Sequence, residues 1–189
     1  MKILVTGHTG MLGKEIVNVL LKFKGIELVG ISRYSIEGVP YQQIEHDFYN
    51  LDLINNFLNK IKPDVIIHCA GLVNLKSCEE NPHLADAIHV ETTRILSSYL
   101  PEKTKFIYVS TDSVFSGKKG NYTELDLPKP LNYYSKSKLE GEKGALKYNP
   151  NSVVLRTNIY GTHSPSGNSL LEWALNELKG KNEITGFSD

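Results

Sequence analysis

The amino-acid sequence predicts an α/β fold built on a doubly wound parallel sheet with helices on both faces. Short apolar runs of strand length alternate with longer segments in which apolar residues recur at helical spacing. The first strand leads directly through a glycine-rich turn into a helix, and no repeat or low-complexity linker interrupts the pattern. Because successive parallel strands need crossover segments, this alternation indicates a parallel sheet covered on both sides.

Composition limits the partners that we expect. The 189 residues suit one domain with a sizeable core, and 21 basic side chains balance 21 acidic ones, which provides no basic surface for nucleic acid. The sequence contains no recognisable signal peptide and no apolar run of the ~20 residues that cross a bilayer. We therefore expect a cytoplasmic protein with no membrane partner. Cys69 and Cys78 lack the spacing of metal ligands, so we expect no metal site.

Residues 2–13, KILVTGHTGMLG, carry the strongest local signal for a binding site. A buried strand ends at Thr6, and Gly7, Gly10 and Gly13 then open the first helix. Glycines permit a sharp turn and a close approach to a pyrophosphate, and the helix N-terminus offers unpaired N–H groups to it. The segment therefore predicts a dinucleotide site of the Rossmann type. A strand–helix turn that binds no ligand is the alternative.

The second strand, Ile26 to Ser32, ends beside Arg33. An acidic residue at this place usually binds the ribose 2′-hydroxyl of NAD, whereas an arginine suits the 2′-phosphate of NADP. Ser32 and Arg33 therefore favour NADP(H) over NAD(H) as the cofactor. A solvated surface arginine is the alternative interpretation.

A third, short strand near Gln42 to Ile44 is followed by Asp47 and Phe48. An acidic side chain beside an aromatic ring is suited to flank an adenine, which makes both residues candidate cofactor ligands. Asp47 could instead cap the helix expected in residues 50–61.

The fourth strand, Val65 to Cys69, is apolar enough to be buried on both faces. Ala70 and Gly71 follow it, and such small residues would let a cofactor lie against the backbone. The remaining pattern predicts, in order, a helix from Pro82 to Leu100, a strand at Lys105 to Ser110, a strand at Ser152 to Arg156, and a helix from Leu170 to Leu178.

The candidate ligands share one position in this predicted topology. Gly7, Arg33, Asp47, Ala70 and Thr111 each follow a predicted strand. The carboxyl ends of parallel strands lie at one edge of a sheet, which is where such folds bind their ligands. We therefore expect these residues to border a single crevice.

The predicted chemistry centres on Tyr134 and Lys138. The fifth strand ends in Ser110-Thr111-Asp112, and if a helix follows residue 130, Tyr134 and Lys138 lie four residues apart on one face. A phenol is a slow acid–base catalyst near neutral pH, and a nearby ammonium would lower its pKa. Tyr133 has a serine at the corresponding position. A packed tyrosine beside a solvated lysine is the alternative.

The glycine spacing, the Ser110-Thr111-Asp112 strand end and Tyr134-x-x-x-Lys138 resemble the extended short-chain dehydrogenase/reductase family. Residues 110–142, STDSVFSGKKGNYTELDLPKPLNYYSKSKLEGE, are similar to the dTDP-4-dehydrorhamnose reductases and related sugar-nucleotide reductases. This resemblance, which extends from Lys2 to Gly161, implies NADPH-dependent reduction of a 4-keto sugar nucleotide for dTDP-rhamnose and polysaccharide biosynthesis.

The resemblance also implies roles for matching residues. Tyr134 would protonate the alkoxide that forms as hydride arrives, and Thr111 would hydrogen-bond the substrate oxygen. Lys138 would bind the nicotinamide ribose and lower the Tyr134 pKa. The full set of candidate cofactor ligands is Gly7, Gly10, Met11, Leu12, Gly13, Ser32, Arg33, Asp47, Phe48, Cys69, Ala70, Gly71, Tyr134 and Lys138, and the candidate substrate ligands are Thr111, Asp112 and Tyr134.

One position separates reduction from a neighbouring reaction. The related 4,6-dehydratases place Asp and Glu directly after the threonine, because eliminating water needs an acid and a base on adjacent carbons. Here Asp112 is followed by Ser113, which cannot act as that base. The sequence therefore favours reduction over dehydration.

The sequence departs from the family pattern at three places. His89, which could take the same hydrogen bond, stands where an asparagine is usual, and Ser135 stands where a glycine often follows the tyrosine. Family members also continue beyond the equivalent of Asp189 to build a C-terminal substrate domain. We therefore expect a dinucleotide-binding domain with the catalytic helix in residues 1–161, and the start of a substrate-binding region in residues 162–189.

Two other functions stay open on this sequence. A relative of these reductases is the regulatory subunit of methionine adenosyltransferase, which binds NADP without turnover as its task. A nucleotide-sugar epimerase would instead recycle a tightly held NAD. The retained Thr111, Tyr134 and Lys138 favour an enzyme, and Arg33 weighs against NAD. Assembly as a homodimer is open as well.

Overall fold

The computed structural model describes residues 1–99, 103–162 and 169–180. Its strands are β1 (Lys2–Thr6), β2 (Glu27–Ser32), β3 (Gln42–Glu45), β4 (Val65–His68), β5 (Lys105–Thr111) and β6 (Ser152–Thr157). They form one six-stranded sheet in the order β3-β2-β1-β4-β5-β6, and all neighbours are parallel. The predicted parallel sheet is confirmed. Strands β1 to β3 extend the sheet in one direction and strands β4 to β6 extend it in the other, so the strand order reverses between β1 and β4. The crevice expected for ligands lies at the carboxyl ends of these two strands.

Helices follow the strands on both faces of the sheet. They are α1 (Met11–Leu20), α2 (Ile54–Ile61), α3 (Leu75–Glu80), α4 (Pro82–Asp86), α5 (Thr92–Ser98), α6 (Tyr133–Tyr148) and α7 (Leu170–Gly180), with a π-helical turn at Ala87–Glu91 and a 3₁₀ turn at Asp112–Val114. None of these described helices combines the length and the apolar character that a bilayer span requires.

The long helix predicted for residues 82–100 is divided into α4, the π-helical turn and α5, and residue 100 lies outside the described residues. The Thr92 hydroxyl contacts two backbone carbonyl oxygens, that of Ala87 at 2.9 Å and that of Phe48 at 3.1 Å. Such side-chain competition for backbone acceptors favours a local change of helical pitch. The apolar pattern predicted one continuous helix and did not reveal the turn.

Alternating strand side chains build two apolar layers. On one face Leu4 packs in a cluster with Leu58 of α2 and Leu96 of α5. On the other face Val5 packs with Val17 of α1. Each such buried side chain contributes roughly 1.5–3 kcal/mol to stability. The core therefore holds the sheet rigid and leaves the carboxyl ends of the strands at its rim.

Candidate dinucleotide and catalytic site

The turn between β1 and α1 requires glycine at two positions. Gly7 has a φ of +69°, and a Cβ on it would lie 2.8 Å from the Ala70 nitrogen. A Cβ on Gly13 would collide with the Gly7 carbonyl oxygen. The Gly10 N–H donates to that same oxygen at 3.0 Å and closes the turn. The backbone after β1 thus lies directly against the backbone after β4, which leaves space for a ligand close to the main chain.

The N-terminus of α1 fits an anionic group. Gly10 is its N-cap and supplies no side-chain hydrogen bond, so the N–H groups of the first turn have no capping side chain. Gly10 is exposed, Met11 and Leu12 are half-buried, and Gly13 is buried. A helix end of this kind attracts phosphate through its N–H groups and its dipole. The turn therefore has the form of a pyrophosphate cradle.

The two predicted ligands at the end of β2 differ in exposure. Ser32 is buried, and its Oγ accepts a hydrogen bond from the Thr9 N–H at 3.3 Å, which ties β2 to the glycine turn. Arg33 is exposed at the same edge and forms no ion pair within the part of the chain that the structure describes. Its guanidinium is therefore available to a phosphate.

Asp47 and Phe48 lie in different environments. Asp47 is exposed, and its Oδ1 accepts a hydrogen bond from the Tyr49 N–H at 3.1 Å. This carboxylate caps a turn rather than α2, which begins only at Ile54. The Phe48 ring is buried in the core, where it contacts His68 edge-on. Burial of the ring leaves the Asp47 side chain, and not that of Phe48, at the rim of the crevice.

The end of β4 meets the glycine turn. Thr6 Oγ1 accepts a hydrogen bond from the Ala70 N–H at 3.3 Å, and a Cβ on Gly71 would lie 3.4 Å from the His89 ring. Cys69 packs against the core on the α1 side, and burial raises the pKa of its thiol to about 12. The thiol therefore stays protonated, and Ala70 and Gly71 form the small-residue wall that the sequence predicts.

The helix predicted to carry Tyr134 and Lys138 is present as α6. Asn132 caps it, because its Oδ1 accepts a hydrogen bond from the Ser135 N–H at 2.8 Å. The helix continues without interruption from Tyr133 to Tyr148. Tyr134 and Lys138 are therefore separated by one helical turn and lie on one face.

The two adjacent tyrosines have different partners. The Tyr133 hydroxyl donates to Asp86 Oδ2 at 2.8 Å, and this bond raises its pKa to about 12. Tyr134 lies at the end of β5, where the neighbouring Thr111 side chain acts to lower the pKa of its phenol. Asp112 follows directly and its Oδ1 accepts a hydrogen bond from the Thr111 hydroxyl at 3.3 Å. The structure thus brings the three candidate substrate ligands together.

Lys138 is buried beneath this group. Its Nζ donates to the Val109 carbonyl oxygen at 2.7 Å and lies 4.2 Å from the centre of the Tyr108 ring. Burial lowers the pKa of Lys138 to about 8. Burial also raises the pKa of Tyr134, and the neighbouring Thr111 side chain opposes the rise. The predicted lowering of the Tyr134 pKa by Lys138 is therefore not found, because desolvation of the phenol dominates.

The sequence analysis did not identify a buried ion pair that lies behind the site. Glu142 accepts hydrogen bonds from Arg156 Nε at 3.1 Å and Nη2 at 2.7 Å, and from Ser110 Oγ at 2.5 Å. It fixes the end of β5 to α6 and β6. Tyr134, Lys138 and Glu142 follow one another at intervals of four residues, and this spacing is the sequence signal that could have found it.

A cavity of about 660 Å³ borders Asp112, which follows the candidate catalytic residue Thr111. It is lined by the loop between β5 and α6 and by β6, including Asp112, Tyr122, Asn132 and Arg156. The cavity thus adjoins both the end of β5 and the start of α6. Among the described residues, no group of acidic, histidine and cysteine side chains could hold a metal ion.

The sheet order, the glycine turn and the Tyr–Lys helix define the class of the molecule as the extended short-chain dehydrogenases and reductases. Within that class, the chain belongs to the family described as the RmlD substrate binding domain, whose model matches residues 1–189. The resemblance predicted from the sequence is confirmed.

Two relatives illustrate the range of similar proteins. A dTDP-4-dehydrorhamnose reductase from Aggregatibacter actinomycetemcomitans is 30% identical over 190 residues, which cover 100% of this chain and 60% of that protein. Methionine adenosyltransferase 2 subunit beta from Xenopus laevis is 34% identical over 165 residues, which cover 84% of this chain and 47% of that protein. The chain thus spans 60% or less of the length of these two relatives.

Solved structures with the same fold include both reductases and an epimerase. A dTDP-4-dehydrorhamnose reductase from Clostridium acetobutylicum has a TM-score of 0.82 at 33% identity, covering 97% of this chain and 61% of that one. The Bacillus anthracis reductase in complex with NADP has a TM-score of 0.75 at 25% identity, with coverages of 97% and 61%. A UDP-glucuronic acid 4-epimerase from Bacillus cereus, in complex with UDP-glucuronic acid and NAD, has a TM-score of 0.74 at 30% identity, with coverages of 86% and 58%.

Proposed function

We propose that this chain is the cofactor-binding and catalytic part of an NADPH-dependent reductase that converts a 4-keto sugar nucleotide into its alcohol. The observation that carries the proposal is the position of Tyr134 beside Thr111 at the end of β5, with Lys138 one turn further along α6. A reductase that matches the whole chain supports a substrate similar to dTDP-4-dehydrorhamnose. Residues 1–161 would form the dinucleotide-binding domain, and residues 162–189 would begin the substrate-binding region.

NADP(H) is the proposed cofactor, and it supplies the hydride. The first turn of α1, which has no capping side chain, would bind its pyrophosphate, with Gly7 and Gly13 allowing the close approach. Arg33 would pair with the 2′-phosphate, which suits an exposed guanidinium that forms no ion pair with the acidic side chains of the described residues. The NADP complex of the Bacillus anthracis reductase supports this choice. The NAD complex of the epimerase supports NAD(H) as the alternative.

Tyr134 is the proposed general acid. A carbonyl that receives a hydride becomes an alkoxide and needs one proton. Because burial raises the pKa of Tyr134, its phenol keeps its proton at neutral pH and can transfer it to that oxygen. Thr111 would donate a hydrogen bond to the same oxygen and stabilise its developing charge.

Lys138 would bind the nicotinamide ribose and stabilise the phenolate that remains after the proton has left Tyr134. With a pKa lowered to about 8 by burial, the side chain is still mostly charged at pH 7. An ammonium has three donors, and the Val109 carbonyl uses one of them. The others can serve the ribose and the phenolate.

A regulatory module that binds NADP without turnover is the second candidate. The similarity to methionine adenosyltransferase 2 subunit beta favours it over 84% of the chain. Such a module would use the glycine turn and Arg33, but would have no need of Thr111, Tyr134 and Lys138. Their juxtaposition supports the reductase.

The cofactor proposal is tested by titrating the protein with NADPH and NADH and following cofactor fluorescence. We expect Arg33→Ala to weaken NADPH binding by roughly tenfold to a hundredfold and to leave NADH binding unchanged, because one charge-assisted contact is lost. Arg94→Ala is the matched control, since Arg94 is a surface arginine on α5 that pairs with Glu91 of the π-helical turn. Absence of binding by both cofactors would refute the proposal, and a preference for NADH would favour the epimerase-like alternative.

A further inference from the structure

We infer that His89 is a positioning residue that fixes Tyr134 through a one-way chain of hydrogen bonds, and that this chain carries no proton to the catalytic site. It runs from the Leu72 amide through the His89 imidazole and the Ser137 hydroxyl to the Tyr134 carbonyl oxygen. The inference deepens the proposed function, because its catalytic consequence rests on Tyr134 as the general acid.

The chain of contacts is short and continuous. The Leu72 N–H donates to His89 Nε2 at 2.9 Å, and His89 Nδ1 lies 2.8 Å from Ser137 Oγ. The Ser137 hydroxyl donates to the Tyr134 carbonyl oxygen at 2.9 Å. His89 and Ser137 are both buried, with 0% and 1% of their surface exposed, so water does not compete for these bonds.

The direction of every bond in the chain is determined by its two ends. A backbone N–H can only donate, so His89 Nε2 carries the lone pair and Nδ1 carries the proton. That proton is then donated to Ser137 Oγ, whose own proton is donated to the Tyr134 carbonyl oxygen. A carbonyl cannot pass a proton on, so the chain ends at the backbone of Tyr134 and does not reach its phenol.

The surroundings of His89 keep it uncharged. The ionisable groups that face it are Lys138 and Tyr134 on α6, His68 on β4 and Tyr108 on β5. Burial, reinforced by the positive charge of Lys138, lowers the pKa of His89 to about 2. The single tautomer therefore persists across the range in which enzymes of this kind work.

Further contacts make His89 a rigid support for Tyr134. The two rings meet edge-to-face with their centres 5.7 Å apart. The His89 carbonyl oxygen accepts a hydrogen bond from the Thr93 hydroxyl at 2.6 Å, which anchors the π-helical turn. The imidazole thus connects three elements that border the site: the segment after β4, the π-helical turn and α6.

The first test reads the tautomer directly and does not depend on cofactor or turnover. In protein labelled with ¹⁵N-histidine, we expect the long-range ¹H–¹⁵N spectrum to show His89 protonated at Nδ1, without titration between about pH 6 and pH 9. We expect Ser137→Ala to speed exchange of this proton with solvent by about tenfold, since its acceptor is lost. An Nε2–H tautomer, a titrating His89 or an unchanged exchange rate in Ser137→Ala would overturn the inference.

Ser97→Ala is the matched control for that experiment. Ser97 is equally buried on α5, and its hydroxyl donates to the carbonyl oxygen of Thr93 in its own helix at 2.7 Å. The described contacts of its side chain do not include a histidine. We expect the His89 signals of this variant to match those of the wild type.

The second test separates positioning from proton transfer. In the 4-keto sugar nucleotide reaction, we expect Ser137→Ala to lower kcat by about tenfold, to leave the KM for NADPH unchanged and to leave the pH profile of kcat in place. A shifted profile would mean that the chain delivers protons and would overturn the inference. A wild-type protein without any turnover would refute the proposed function alone, because the tautomer test would stand.

Discussion

Lys138 Nζ donates a hydrogen bond to the Val109 carbonyl oxygen at 2.7 Å, inside the protein and not at its surface. Desolvation of the ammonium disfavours its charged form, which is why its pKa falls to about 8 from an ordinary value of 10.5. Lys138 is still mostly charged at pH 7. Because its pKa differs between the folded and the unfolded state, its titration changes the free energy of unfolding.

The linkage predicts how stability depends on pH. Below about pH 8 the folded and unfolded states both hold the Lys138 proton, so this group does not change the free energy of unfolding as the pH changes. Between about pH 8 and pH 10.5 the unfolded chain binds more protons than the folded one, so the free energy of unfolding rises with pH. We expect the free energy of unfolding of the wild type, relative to Lys138→Met, to rise by about 1 kcal/mol per pH unit in that window. Urea denaturation at several pH values measures it. A constant difference from pH 7 to pH 10 would contradict a desolvated ammonium.

The neighbouring tyrosines provide a matched pair for the proposed acid. Tyr134→Phe removes the phenol that lies beside Thr111, and we expect kcat for a 4-keto sugar nucleotide to fall by about 10²–10⁴. Tyr133→Phe removes only the bond to Asp86, so we expect kcat within about twofold of the wild type. NADPH oxidation followed by absorbance measures both, and an unchanged thermal unfolding temperature controls for folding. Equal losses in the two variants would exclude a special role for Tyr134.

Two glycines with different surroundings, Gly13 in the glycine turn and Gly144 in α6, predict opposite effects of a Gly→Ala change. A Cβ on Gly13 meets backbone atoms of Gly7 that cannot yield, so we expect Gly13→Ala to destabilise the fold by more than about 2 kcal/mol and to abolish NADPH binding. Gly144 lies within α6 with open space around its Cα, so Gly144→Ala should stabilise the protein by about 0.5–1 kcal/mol. Thermal unfolding and cofactor titration measure both variants. Normal NADPH binding by Gly13→Ala would contradict the close approach proposed here.

Features that depend on local chemistry were predictable from the sequence. The apolar run before Gly7 and the glycine spacing after it specify a strand, a tight turn and a helix, because backbone sterics leave few alternatives. The position of Thr111 beside Tyr134 also followed, because a parallel sheet brings strand ends to one edge and α6 begins there.

Features that depend on partners distant in sequence were not predictable in the same way. Spacing placed Lys138 one turn after Tyr134, but it could not reveal that the ammonium binds Val109 and that burial governs the pKa of the phenol. The sequence pattern likewise placed Phe48 beside Asp47 at a strand end and predicted that both flank an adenine. In the structure the Phe48 ring packs in the hydrophobic core instead. In each case tertiary packing determined which neighbour the side chain meets.

The last prediction concerns the Glu142–Arg156 pair. Glu142 also binds Ser110, the residue before Thr111, so the pair contributes to stability and holds the end of β5 in place. Glu142 is 2% exposed, and replacing it by glutamine leaves the Arg156 guanidinium and Ser110 without their charged acceptor. We expect Glu142→Gln to cost roughly 3 kcal/mol of unfolding free energy, as partly buried ion pairs do when one partner is removed.

The surface pair of Arg94 and Glu91, whose side chains are 44% and 41% exposed, is the control. Solvent screens that pair, so Glu91→Gln should change stability by no more than about 0.5 kcal/mol. Urea denaturation of both variants decides the comparison. If the two substitutions had equal effects, Glu142 would not hold β5 against α6 and β6, and Thr111 would owe its position to the sheet alone. If Glu142→Gln also lowers kcat while the KM for NADPH is kept, the pair supports the catalytic edge as well as the fold.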